Sequence, residues 1–283
     1  MTSSSSYHRT TRFIKKLVPT LFLTILSAAI LYPLVFVVLA SFKGANEVRS
    51  NALGLPTKWL FSNYITAWTQ GDFSIYFKNS IFIVIPVVFM VIFCSLLASF
   101  ALTRIKPVGH RFLFYFLIAG QTLPLEAIII PLYYQMLSAK LLNNPLSVIF
   151  PMIGLIIPFG ILLLTGFIDS IPSDILDAAK VDGASPWQEL LYVILPIAQP
   201  GVIALLVFSF LWTWNQFFLP TVMLPQPAAR TLPAGLNQFI GTFTYEMQLL
   251  AAGTLITATP VIIVYLIFNK QFIRGVTTGA IKS

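Results

Sequence analysis

Very few residues of this 283-residue chain could do chemistry: nine Asp and Glu, two His and one Cys. His8 and His110 lie far apart beside basic clusters, so they make no metal pair and no metal site is expected. Cys94 stands alone within an apolar run, which excludes an internal disulfide. No G-x-x-x-x-G-K-[ST] phosphate loop occurs, so any nucleotide chemistry must sit on a partner. No catalytic residue is expected. What remains is recognition by polar side chains in apolar surroundings. Glu126 interrupts the apolar stretch from Phe112 to Leu137, past its midpoint. Trp212, Trp214, Asn215 and Gln216 cluster near the end of another stretch. Aromatic faces and amides suit rings carrying hydroxyls, such as sugars. The same residue types have structural uses: Trp is common at membrane interfaces, amides bridge helices, and Glu126 could pair with a neighbouring chain or stay protonated. These five residues are the candidates for a solute path.

The elements that must position them are membrane spans. The chain is 57% hydrophobic and 9% charged, against about 25% charged in soluble domains. Long uncharged runs between charge clusters predict an all-α polytopic membrane protein of about six spans, at about 17–42, 79–103, 112–137, 146–168, 198–223 and 248–269. The first run competes with a signal peptide. It is too long for one and shows no clear cleavage site, so an uncleaved helix is expected. The net charge of +8 does not point to nucleic acid, because the basic residues fall in short clusters between spans. With the N-terminus inside, the inner segments hold eleven Lys and Arg and the outer ones six. Both termini and the segment 169–196 are then cytoplasmic.

Segment 169–196 is too polar to span the membrane and too patterned for a slack linker. Pro172 and Ser173 can start a helix through Leu176, Ala178 and Ala179, with Asp174 and Asp177 in its early turns. Gly183 permits the turn that ends it. Ser185, Pro186 and Gln188 have the order of a capping box that opens a second helix. Leu190, Leu191, Val193 and Ile194 are expected to hold that helix to the bundle. Ala178 and Ala179 offer a small-residue surface for close approach by another protein.

Asp177-Ala178-Ala179, Gly183, Val193 and Leu195-Pro196 resemble the EAA motif of permease subunits of bacterial ABC importers, with Asp for the usual first Glu. Trp214-Asn215-Gln216-Phe217-Phe218 resembles the "WNEF" element of the sugar-type permeases, with Gln for the usual acid, and Arg230-Thr231-Leu232-Pro233 resembles the loop that follows. The tail from Gly275 to Lys282 resembles the end of the smaller permease subunit of the maltose transporter and its relatives. The resemblance implies a type I importer (MetI-like) permease fold in the bacterial inner membrane. It implies a second permease subunit, two ABC ATPase subunits holding ATP and Mg, and an extracytoplasmic solute-binding protein. No cofactor would be bound by this chain. Asp177, Ala178, Ala179, Asp182 and Gly183 would form or shape the joint with the ATPase, and the cargo would be a carbohydrate. Two alternatives stay open: another solute, such as a glycerol phosphate ester or a polyamine, and an ion-coupled secondary transporter.

Overall fold

A computed structural model of the protein describes residues 4–240 and 246–280, with side chains for 19–240 and 246–270. Arg9, Arg12, Lys15, Lys16 and Arg274, counted above for orientation, lie outside the described side chains. Ile281 and Lys282 of the tail lie outside the described residues. The chain is built from helices, as its composition predicts, and forms two compact units.

One unit comprises residues 1–71 and 238–256. Its helix α1, Ser4–Ser41, contains the apolar span Pro19–Ser41. Every side chain from 19 to 35 is exposed. An apolar helix bare on all sides is stable in lipid or against another membrane helix, not in water. Short helices α2 (Ala45–Ser50) and α3 (Ser62–Gln70) follow. The link between α1 and α3 is pinned by polar contacts. Asn63 Nδ2 donates to the carbonyls of Ser41 and Lys43, both at 2.9 Å. Lys43 is fully buried, and its ammonium donates to the carbonyls of Asn51 (2.6 Å) and Ala52 (3.0 Å). Burial without such acceptors would strongly disfavour the charge.

The other unit comprises residues 72–237 and 257–283. Helix α4, Phe73–Phe100, runs on through a π-helical turn, Ala101–Ile105. It packs against α7, Leu146–Asp169. Ser95 and Ser99 donate to the carbonyls of Ile157 (3.4 Å) and Ile161 (3.2 Å) on α7. Gly160 lies where an added Cβ would collide with Ser95. Small residues and cross-helix hydroxyls replace the hydrophobic effect as the cause of close packing in lipid.

Two expected spans are broken. Helix α5, His110–Ala119, continues as a 3-10 turn to Thr122 and meets α6, Leu125–Ser138, at 96°. Pro124 lacks an N–H and forces Leu123 to extended backbone (ψ 111°), which stops the helix. Helix α9, Pro186–Ile197, meets α10, Gln199–Trp214, at 77°. Pro196 and Pro200 flank this bend at Ala198. That bend falls at the start of the expected span 198–223, which is itself interrupted at Asn215–Phe217, between α10 and the short helix α11, Phe218–Met223. Helix α12, Leu232–Gly235, is fixed to α4 by the bond from Leu232 N–H to Ser80 Oγ (2.8 Å). The last helix, α13, Met247–Ala280, contains the span Met247–Lys270. Among the described residues, four helices are long and apolar enough to cross a membrane, or up to six if each bent pair counts as one.

Candidate functional site

The segment between α7 and α10 folds as helix, turn, helix. Helix α8, Ser173–Val181, carries Asp174 in its first turn and Lys180 in its last, both favourable to the helix dipole. Its end is a complete Schellman motif. Ala184 N–H donates to Ala179 O and Gly183 N–H to Lys180 O, each at 3.0 Å. Gly183 has φ +79°, the left-handed backbone that glycine adopts without steric cost. The next residues form the expected capping box: Gln188 N–H donates to Ser185 Oγ (3.4 Å) and Ser185 N–H to Gln188 Oε1 (2.7 Å), with Pro186 opening the helix.

Leu176 is the sole buried side chain of α8. It joins the apolar cluster that also holds Leu190 and Ile194. Burying one such leucine contributes about 1.5–3 kcal/mol. Leu191, expected to help hold α9, is instead exposed, about 100° round the helix from the buried Leu190. Asp177, Ala178, Asp182 and Gly183 are exposed and Ala179 half-buried. Asp177 pairs loosely with Lys180 at 3.7 Å. The structure thus gathers all five candidates on one small, exposed element whose one buried side chain is Leu176.

A residue that sequence reasoning missed braces this element. Glu189 is buried, and its Oε1 accepts from Arg104 Nε at 2.8 Å. Both partners lie on π-helical turns, Ala101–Ile105 and Glu189–Ile194. These turns are often found at functional positions. Nothing in the local sequence links positions 85 apart. The one available signal was a carboxylate among the apolar Leu190, Leu191 and Val193, which demands a cationic partner.

The solute-path candidates separate. Trp212 and Gln216 line one cavity of about 320 Å³ beside the α5–α6 break, together with Gln121 and Phe159. Trp212 packs edge-on to Phe159, with ring centroids 4.8 Å apart. Gln216 Oε1 accepts from Phe218 N–H (3.1 Å), which leaves its amide NH2 as donor. No charged side chain lines the cavity. The other three candidates lie outside it. Trp214 is 1% exposed, and its indole N–H donates to Thr257 O at 3.0 Å, so it packs the unit and offers no face to a solute. Asn215 Nδ2 donates to Leu211 O (2.9 Å) and so closes the end of α10. Glu126 is exposed in the first turn of α6, where the dipole favours a carboxylate.

Apolar helices of span length, two bent helix pairs and a capped helical elbow define a polytopic helical membrane protein. Residues 95–278 match the family described as binding-protein-dependent transport system inner membrane component, and the chain belongs to it. It is a multi-pass inner-membrane permease of the sugar-type ABC importer class, a transport component that works with a binding protein. The chain is 32% identical to the diacetylchitobiose uptake system permease of Streptomyces coelicolor, over 90% of this chain and 85% of that one. It is 28% identical to the arabinooligosaccharides transport permease of Halalkalibacterium halodurans, over 89% and 91% of the two chains. Its fold matches a chain of a bacterial ABC transporter that imports the acidic polysaccharide alginate, with TM-score 0.79 at 23% identity, covering 93% of this chain and 98% of that one.

Proposed function

We propose that this chain forms half of the translocation path for an uncharged oligosaccharide, delivered outside by a solute-binding protein and driven by ATP hydrolysis on separate ATPase subunits. The observation that carries the cargo is the neutral cavity walled by Trp212 and Phe159 and edged by the amides of Gln121 and Gln216. Aromatic faces take sugar rings, amides take hydroxyls, and a phosphorylated solute would find no Lys or Arg there. At about 320 Å³ the cavity has room for a short piece of such a chain. The two sequence relatives named above, which concern diacetylchitobiose and arabinooligosaccharides, support an oligosaccharide cargo.

In this reading, Asp177, Ala178, Ala179, Asp182 and Gly183 form the joint with one ATPase. The small side chains permit close approach, and the capped turn gives the joint a fixed shape. Both termini face the same cytoplasmic side, a second permease completes the path, and this chain holds no cofactor. Two measurements test the proposal. Uptake into vesicles bearing the whole complex is expected to need internal-face ATP and to survive collapse of ion gradients. The cognate binding protein is expected to melt later with an oligosaccharide. Uptake driven by an ion gradient alone, or thermal protection only by a phosphate ester or a polyamine, would overturn it.

A further inference from the structure

A second cavity, of about 330 Å³, lies at the other end of α5. It is lined by Lys106, His110 and Arg111 on the α4–α5 turn and start of α5, with Thr165 and Asp169 from α7 and the rings of Phe114 and Tyr115. Its level in the membrane follows from the ends of spans. Ile105 closes one candidate span, His110 opens the next and Asp169 closes a third. Three ends meeting at one cavity place it at a membrane surface.

Its polar groups are left over from the fold. Lys106 is held in left-handed backbone (φ +50°), a strained conformation for a side-chain-bearing residue. Among the described residues, Lys106, Arg111 and Asp169 form no ion pair within 4.0 Å, whereas nearby Arg104 does. Thr165 Oγ1 is buried and has no hydrogen-bond partner. A helical threonine normally bonds the carbonyl four residues back, as Thr103 does to Ser99 at 2.7 Å. A buried orphan hydroxyl beside two unpaired cations calls for a ligand that accepts hydrogen bonds and carries negative charge.

The surroundings say what kind. Helix α5 buries no side chain, and Phe112, Tyr115 and Phe116 are all more than 60% exposed. A soluble anion has no use for this apolar track, whereas the acyl chains of a lipid do. We propose that the cavity binds the headgroup of an anionic glycerophospholipid. Its phosphodiester lies between Lys106 and Arg111 and accepts from Thr165, and its acyl chains run along α5. The carboxylate of Asp169 repels a bare phosphate but accepts from headgroup hydroxyls, so phosphatidylglycerol fits better than phosphatidic acid. Basic pockets between membrane helices bind acidic headgroups in this way.

The test uses the whole transporter complex in nanodiscs of phosphatidylcholine with a minor share of phosphatidylglycerol, read by native mass spectrometry of retained lipid. The wild type is expected to keep one phosphatidylglycerol more than a Lys106→Gln/Arg111→Gln variant. Affinity should fall about thirtyfold, as for two basic side chains at a charged surface. Lys58→Gln, outside the cavity, should retain the lipid. If the double variant does not assemble, Thr165→Val removes only the orphan hydroxyl and should still weaken retention. Equal retention in wild type and variants, or equal retention of phosphatidylcholine, overturns the site. Displacement of the lipid by inorganic phosphate overturns the lipid identity.

Discussion

The turn at Gly183 allows a prediction in which backbone conformation is the sole variable. Its φ is +79°, and a Cβ added there would meet nothing within 4 Å. An alanine there therefore costs conformational energy but causes no clash. Alanine in left-handed backbone costs roughly 1–2 kcal/mol, and asparagine costs less, since its short polar side chain tolerates that region. Proline cannot reach a positive φ and also removes the N–H that bonds Lys180 O at 3.0 Å. Opening of the turn frees the Ala184 amide, which is bonded to Ala179 O. Hydrogen exchange at Ala184 is expected to speed up about 5- to 30-fold in Gly183→Ala, the equivalent of 1–2 kcal/mol, and by a smaller factor in Gly183→Asn. In the assembled complex, ATP-driven uptake should fall in the order Gly, Asn, Ala, Pro, while ATPase activity persists in the proline variant. If the alanine variant exchanges like the wild type, the turn is not strained as argued. If the proline variant transports normally, this elbow is not the joint.

Three further outcomes are expected. Glu189→Ala strands Arg104 with a side chain only 21% exposed. Discounted for that exposure, the loss is about 2 kcal/mol, read as a lower Tm, and Arg104→Met with Glu189→Leu should recover most of it. Trp212→Ala should reduce uptake with little change in Tm, because the ring is 44% exposed. Trp214→Phe should do the reverse, at about 1 kcal/mol for the lost bond to Thr257 O. A rise in stability loss for Trp212→Ala above that for Trp214→Phe would reverse their assigned roles. At α2, the Thr57 N–H bonded to Glu47 Oε1 at 2.6 Å holds the Glu47 carboxyl below its ordinary range. The stabilisation is full above the ordinary carboxylate pKa and is lost as pH falls through the lowered one. The protection factor of the Thr57 amide, its exchange rate normalised to the intrinsic rate at each pH, should therefore fall on acidification, and Glu47→Gln should make that factor independent of pH over that window.

Local signals in the sequence were sufficient where a short stretch contains both partners of an interaction. Ser185 and Gln188 are three residues apart, so their reciprocal bonds follow from order alone. Gly183 after a helical stretch marks a left-handed cap in the same way. Apolar runs of span length likewise need only themselves to be recognised. The broken spans were harder to see. Hydropathy averages through the 96° bend at Pro124, where the sequence suggests no more than a kink, whereas the 77° bend falls between the polar segment ending at Pro196 and the span expected from 198. Candidates for the solute path could be gathered by type but not sorted. Trp212 and Trp214 are two residues apart on one helix and so point about 200° apart. One faces the cavity and the other is buried to its indole nitrogen.

By itself the sequence determined the class of protein and the construction of its one polar elbow, because hydropathy, caps and glycine turns are written in contiguous residues. The tertiary structure alone decided which groups share a site. Arg104 and Glu189 are 85 residues apart, and Gln121, Phe159 and Gln216 come from three different segments. Distances between such residues are set by how α4, α5, α7 and α10 pack, and that packing follows from small residues, hydroxyls and proline bends whose partners no local pattern names.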